Sequence, residues 1–159
     1  MRNKSQRGFT LIEMIVVIVI MAILAVISTN VVQSAFNSYF TNQDIAAANS
    51  TGRLVLENMA RRIRMIRSSA DITTASSTQL VFTDINGNSV NYSWSSPTLQ
   101  LNSQTLANNV SSFTLSYLDR NASTTSTLAN IRYVTVSFTI TQNNIAYDFR
   151  TTIYARNLP

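Results

Sequence analysis

Gly8-Phe9-Thr10-Leu11-Ile12-Glu13 leads into the run FTLIEMIVVIVIMAILAVI, residues 9–27, in which Thr10 and Glu13 are the only polar side chains. Nineteen helical residues at about 1.5 Å each span roughly 28 Å, close to the ~30 Å hydrocarbon thickness of a bilayer. The eight residues before it, MRNKSQRG, are short, polar and basic through Arg2, Lys4 and Arg7. A basic flank on one side of an apolar span predicts that residues 1–8 face the cytoplasm and that everything after residue 30 faces outward. An ordinary secretory signal has a shorter apolar stretch followed by a small-residue cleavage site. No such site follows here, so the span is expected to stay with the protein.

Glu13 is the anomaly. A carboxylate within an apolar span costs roughly 2.5–3.5 kcal/mol on insertion scales, so it needs solvation or a partner. One reading leaves Glu13 solvated near the cytoplasmic interface. The other starts from cleavage after Gly8, which would free an ammonium at Phe9 for the Glu13 of a neighbouring subunit and make the carboxylate an assembly device.

The order Gly8-Phe9-Thr10-Leu11-Ile12-Glu13, behind a short basic leader and ahead of an apolar run, resembles the class III leader of type IV prepilins and of type II secretion pseudopilins. The resemblance covers about residues 1–30. It implies that a prepilin peptidase of the membrane cuts between Gly8 and Phe9 and methylates the new amine of Phe9. It implies also that Glu13 neutralises an adjacent N-terminus. The partners it implies are other pilin or pseudopilin subunits through the N-terminal helix, the inner-membrane assembly platform and membrane lipid. Localisation would be single-pass in the inner membrane with a periplasmic head, then in a pilus or pseudopilus. Many major pilins carry a helix-disturbing Pro where this chain has Asn30.

Beyond the span the helical rhythm continues. Val32, Phe36, Tyr39, Gln43 and Ala47 recur every three or four residues, as do Val55, Met59, Ile63 and Ile66. The expectation is one helix from about Phe9 to about Arg67. Residues 9–30 form its membrane and assembly half, and residues 31–67 an amphipathic half packed on the globular part. Gly52 is the expected weak point, because Gly costs about 1 kcal/mol relative to Ala inside a helix. Arg61, Arg62, Arg64 and Arg67 crowd the expected helix end. They are either an anionic-partner patch for DNA or lipid, or cations placed where the helix C-terminus favours them.

From residue 79 the period changes to two. Leu80 and Phe82, then Val90, Tyr92 and Trp94, flank an Asn86-Gly87 turn signal, which reads as a hairpin over 79–94. Phe113, Leu115 and Tyr117 alternate again, and so do Val134, Val136, Phe138 and Ile140. A Gln142-Asn143-Asn144 turn leads into 145–155, where Tyr147, Phe149 and Ile153 share a face. Residues 119–127 are a polar loop without period. The fold class is therefore α+β, a long N-terminal helix followed by a small antiparallel β head over 68–159, which matches the pilin ladle.

The formal charge is +5, but without Arg2, Lys4 and Arg7 the remaining nine basic residues against seven acidic leave +2. Basicity thus belongs to the N-terminus, and nucleic acid is not an expected partner. The chain has no His and no Cys, hence no catalytic imidazole or thiolate and none of the usual zinc ligands. Asp84, Asn86 and Asn88 have the spacing that begins a calcium loop, but Ser89 and Ser95 stand where its Gly and Glu belong. No cofactor or metal is expected, and no enzyme. The readings carried forward are a structural minor pilin or pseudopilin, a DNA-uptake pilin using the arginines, and an unassembled single-span envelope protein whose head binds a ligand.

Overall fold

The structure, a computed structural model, describes residues 8–158. One helix, α1, runs Leu11–Ile63, and eight strands follow. The chain divides into two units, Met1–Gln43 and Asp44–Pro159.

In the first unit every described residue, 8–43, is exposed. The helix is long and apolar enough to cross a membrane. Two of its hydroxyls close on the helix itself. Ser28 Oγ donates to the carbonyl of Leu24 at 2.8 Å, and Thr29 Oγ1 to that of Ala25 at 2.9 Å. Such back-bonding satisfies these two donors within the helix, as an apolar surrounding requires. Exposed apolar side chains continue past Ile27 through Val31, Val32, Phe36, Tyr39 and Phe40.

In the second unit, burial along α1 starts at Ala48 and continues with Gly52, Val55, Met59 and Ile63. Spacings of three and four keep these on one face. Gly52 does not break the helix. An added Cβ would fall inside the Phe149 ring, so the residue is small because an aromatic side chain lies against the helix backbone. The helix stops at Ile63, short of the Arg67 limit that periodicity suggested. Bonds from Met65 N–H to Arg62 O and from Ile66 N–H to Ile63 O tighten the last turn. The chain then joins the first hairpin: Ile85 N–H donates to Met65 O, and Arg67 N–H to Thr83 O. Ile66 is fully buried, but from this bridge and not from the helix, so the apolar rhythm outlasted the helix that produced it.

The strands are β1 Ile72–Ala75, β2 Gln79–Thr83, β3 Ser89–Ser95, β4 Thr98–Leu101, β5 Gln104–Ala107, β6 Val110–Leu118, β7 Tyr133–Gln142 and β8 Ile145–Tyr154. They form two sheets, β1-β2-β3-β4-β5 and β6-β7-β8, with antiparallel neighbours throughout. The 79–94 hairpin and the last three long strands stand where alternation placed them. The single meander becomes two sheets because the four-residue strands β1, β4 and β5 are too short to show a period. Between β4 and β5, Asn102 and Ser103 have φ of 51° and 65°; between β7 and β8, Asn143 and Asn144 have φ of 47° and 64°. Both are two-residue connections in the left-handed region, whose twist suits antiparallel hairpins.

The buried faces of both sheets and of α1 from Ala48 onward make one core, including Leu80, Phe82, Tyr92, Leu115, Val134, Val136 and Ile153. Two of its tyrosine hydroxyls are paired across elements. Tyr92 Oη donates to Asn58 Oδ1 at 2.7 Å, tying β3 to the helix, and Tyr117 Oη donates to Ser76 O at 2.8 Å, tying β6 to the β1–β2 turn. Burial pushes both phenols well above the usual tyrosine range, so neither ionises in ordinary buffers. The polar 119–127 segment has a local order of its own: Asp119 Oδ1 accepts from the backbone N–H groups of Asn121 and Ser123 at 2.8 and 3.0 Å.

Candidate functional site

Two residues, Thr10 and Glu13, form a reciprocal motif at the start of α1. Thr10 Oγ1 accepts from Glu13 N–H at 3.3 Å, while Glu13 Oε2 accepts from Thr10 N–H at 3.2 Å and from Thr10 Oγ1 at 3.3 Å. This is a capping box, in which an N-cap Thr and the third helical residue satisfy each other's end of the helix. The helix N-terminus also favours a negative charge in its first turn. Glu13 therefore has a local partner in Thr10, in addition to any cation its charge calls for. The spacing Thr-x-x-Glu ahead of an apolar run is the sequence signal that could have found it.

The cap leaves chemistry available. The cap uses only Oε2 of Glu13 and leaves Oε1 open, and Phe9 beside it is 81% exposed. Gly8 has no atom within 4 Å of where a Cβ would stand, so the Gly8–Phe9 peptide lies open just before the helix begins. Arg2, Lys4 and Arg7 lie outside the described residues.

The four arginines do not form one patch of free cations. Arg67 binds Asp71 in a fork, Nε to Oδ2 at 2.9 Å and Nη2 to Oδ1 at 2.5 Å. Their bond holds the Asp71 carboxyl below its usual range and the guanidinium above its own. Arg61 and Arg62 occupy the last turn of α1, where the helix end favours cations. Arg62 is half-buried, its Nε has no hydrogen-bond partner, and it lines a cleft of about 280 Å³ with Arg61, Met65, Asp84, Asn86 and Asn88. Arg64 is exposed.

Asp84 closes the β2–β3 turn. Its Oδ1 accepts from Asn88 N–H at 2.8 Å and from Asn86 N–H at 2.9 Å, and its Oδ2 from the Asn88 amide at 3.3 Å. The Asn88 backbone bond is the main reason the Asp84 carboxyl sits below its ordinary range, with the Asn88 amide, Asn86 N–H and nearby Arg62 adding to it. Both Asp84 oxygens, which a calcium reading would assign to a cation, are engaged by donors of the turn. Among the described residues no group of three or more acidic side chains gathers at one point. Trp94 donates from Nε1 to Val110 O at 3.1 Å and packs against Phe113, so it is part of the sheet junction.

A family model described as the prokaryotic N-terminal methylation motif matches residues 3–29. The matched stretch contains Gly8, Phe9, the Thr10–Glu13 cap and the apolar beginning of α1. No curated protein matches the chain. The match and the α+β architecture agree: the matched stretch runs into the apolar beginning of a membrane-length helix, and antiparallel sheets follow that helix.

Proposed function

We propose that this chain, which carries the leader and the long apolar helix of a type IV pilin-like protein, is a minor pilin or pseudopilin: a non-enzymatic subunit that joins, primes or caps an extracytoplasmic filament. The observation that carries the proposal is the methylation motif over residues 3–29, continuous with the exposed apolar surface of α1. On this reading the Gly8–Phe9 amide is the bond cut by a prepilin peptidase, and the amine freed at Phe9 receives the methyl group. The helix then holds the subunit in the inner membrane with the head outside it, until assembly packs α1 against other copies or partner subunits.

Glu13 acts at that last step. Its cap on Thr10 keeps the carboxylate compensated while the subunit waits in the membrane. A neighbour's Phe9 amine, mostly charged at neutral pH because its ordinary pKa is near 8, then adds an ion pair that low dielectric strengthens. Assembly therefore adds a partner to the cap without displacing it.

The experiment separates cap from charge. A Gln at the third helical position keeps a capping box, so Glu13→Gln preserves the helix start and removes only the negative charge. The variant is expected to insert, to be processed and to fold, but to be depleted from sheared filaments or from complexes with partner subunits. Incorporation equal to the unmodified chain would mean that Glu13 only caps its own helix.

A further inference from the structure

Strand β8 ends its sheet with an open edge. Ten residues, Ile145–Tyr154, pair with β7 in unbroken register from Gln142↔Ile145 to Tyr133↔Tyr154. Among the described residues no backbone or side-chain hydrogen bond reaches the other side of β8. The opposite edge, β6, is covered: Leu115 N–H donates to Ser77 O, and Thr125 N–H to Tyr117 O. Long exposed edges invite pairing with another strand, and proteins usually blunt them with Pro, charged side chains or a bulge. β8 has no Pro and no bulge, and its two charges, Asp148 and Arg150, are of opposite sign.

The ladder decides which groups point outward. Thr141 N–H turns to Asn109 O, on the β6 side of β7. The odd residues of β7 therefore bond β6 and the even ones bond β8, as strand geometry alternates. Through the register, the odd residues of β8 bond β7. The even ones, Ala146, Asp148, Arg150, Thr152 and Tyr154, aim N–H and C=O at the open edge. Their side chains are all exposed.

We propose that β8 pairs with β8 of a second copy of this chain, antiparallel and centred on Phe149, so that Asp148 of each copy faces Arg150 of the other. Three constraints select this register. Outward-facing residues must oppose outward-facing residues. Centring the pair on Asp148 or on Arg150 would set like charges opposite each other, which is destabilising, whereas centring on Phe149 makes two opposite-charge pairs on the exposed face. The charges are also available: Arg150 has no carboxylate partner among the described residues, and Asp148 accepts only a hydroxyl, from Thr139 at 2.7 Å. The contact is two-fold and self-complementary, so it closes as a dimer and does not propagate. It needs no filament, and so it stands or falls apart from the pilin reading.

Disulfide trapping in membranes tests it, using the full-length chain, which has no Cys. In the proposed register residue 146 of one copy faces residue 152 of the other, with Cα atoms about 5.5 Å apart, inside the range a disulfide spans. Ala146→Cys and Thr152→Cys chains, co-expressed and oxidised, should cross-link to each other and not within either variant alone. Asp148→Arg makes both charge pairs repulsive, as does Arg150→Asp, and either should cut the cross-linked fraction roughly tenfold. Asp148→Arg combined with Arg150→Asp restores opposite charges and should restore the cross-link. Absence of the mixed disulfide, equal cross-linking of each Cys variant alone, or a double reversal that fails to rescue would each overturn the pairing.

Discussion

Gly52→Ala should destabilise the head, against the ordinary preference of helices. At an unobstructed helix position the change gains about 1 kcal/mol. Here the new methyl would occupy the space of the Phe149 ring, which stacks on Phe138 with centroids 5.2 Å apart and cannot retreat freely. Overpacking of this kind costs about 1–3 kcal/mol, so the net change is a loss of about 0–2 kcal/mol. Truncating the ring removes the obstacle. In a Phe149→Ala background the same Gly52→Ala change should stabilise by about 1 kcal/mol, which makes the coupling between the two sites about 1–3 kcal/mol. Urea unfolding of the detergent-solubilised chain reads this through Trp94, the only tryptophan, which lies at the sheet junction against Phe113. If Gly52→Ala stabilises equally in both backgrounds, the ring does not lie against the helix, and the account of this glycine is wrong.

Val136→Asp would bury an unpaired carboxylate at a fully enclosed position of β7. A loss of more than about 4 kcal/mol is expected, seen as a head unfolded without denaturant. Asp84 gives a pH dependence. Its carboxyl is depressed in the folded chain, so its contribution is complete above the unfolded carboxylate pKa near 4 and is lost as pH falls through the lower folded value. Urea midpoints should therefore fall on acidification less steeply for Asp84→Asn than for the parent, and identical slopes would remove Asp84 from the acid response. Deleting residues 1–30, of which the described ones, 8–30, are all exposed, should leave a soluble chain with the same Trp94 unfolding transition. Loss of that transition would show that the head needs the span.

The apolar span, the long helix and the long strands were legible because each repeats its period many times. Val134 to Ile140 show strand alternation over a ten-residue element, and no other period fits them. β1, β4 and β5 were not, since four residues carry two side chains per face. The helix end was misjudged at Ile66 because burial by a hairpin bridge and burial by a helix face look alike in sequence. Gly52 was read for its propensity cost alone, and the contact that requires it comes from Phe149, ninety-seven positions away. At the N-terminus the residues of the site were all visible. Missed was the bond between two of them, because Glu13 was treated as a charge wanting a cation and Thr10 as a bystander in an apolar run. The arginines read as a cluster from adjacency, yet Arg67 is consumed by Asp71 four residues on, a pairing that only the turn after the helix brings about.

The central claim is that the chain is a processed pilin-like subunit, and intact-mass spectrometry of the protein extracted from membranes tests it most directly. In cells with an active prepilin peptidase the mass should correspond to residues 9–159 plus one methyl group, with fragmentation placing the methyl on the Phe9 amine. Substituting Gly8 with a bulky residue should leave the full-length chain in the membrane. An intact, unmethylated chain still beginning at Met1 in such cells would contradict the account.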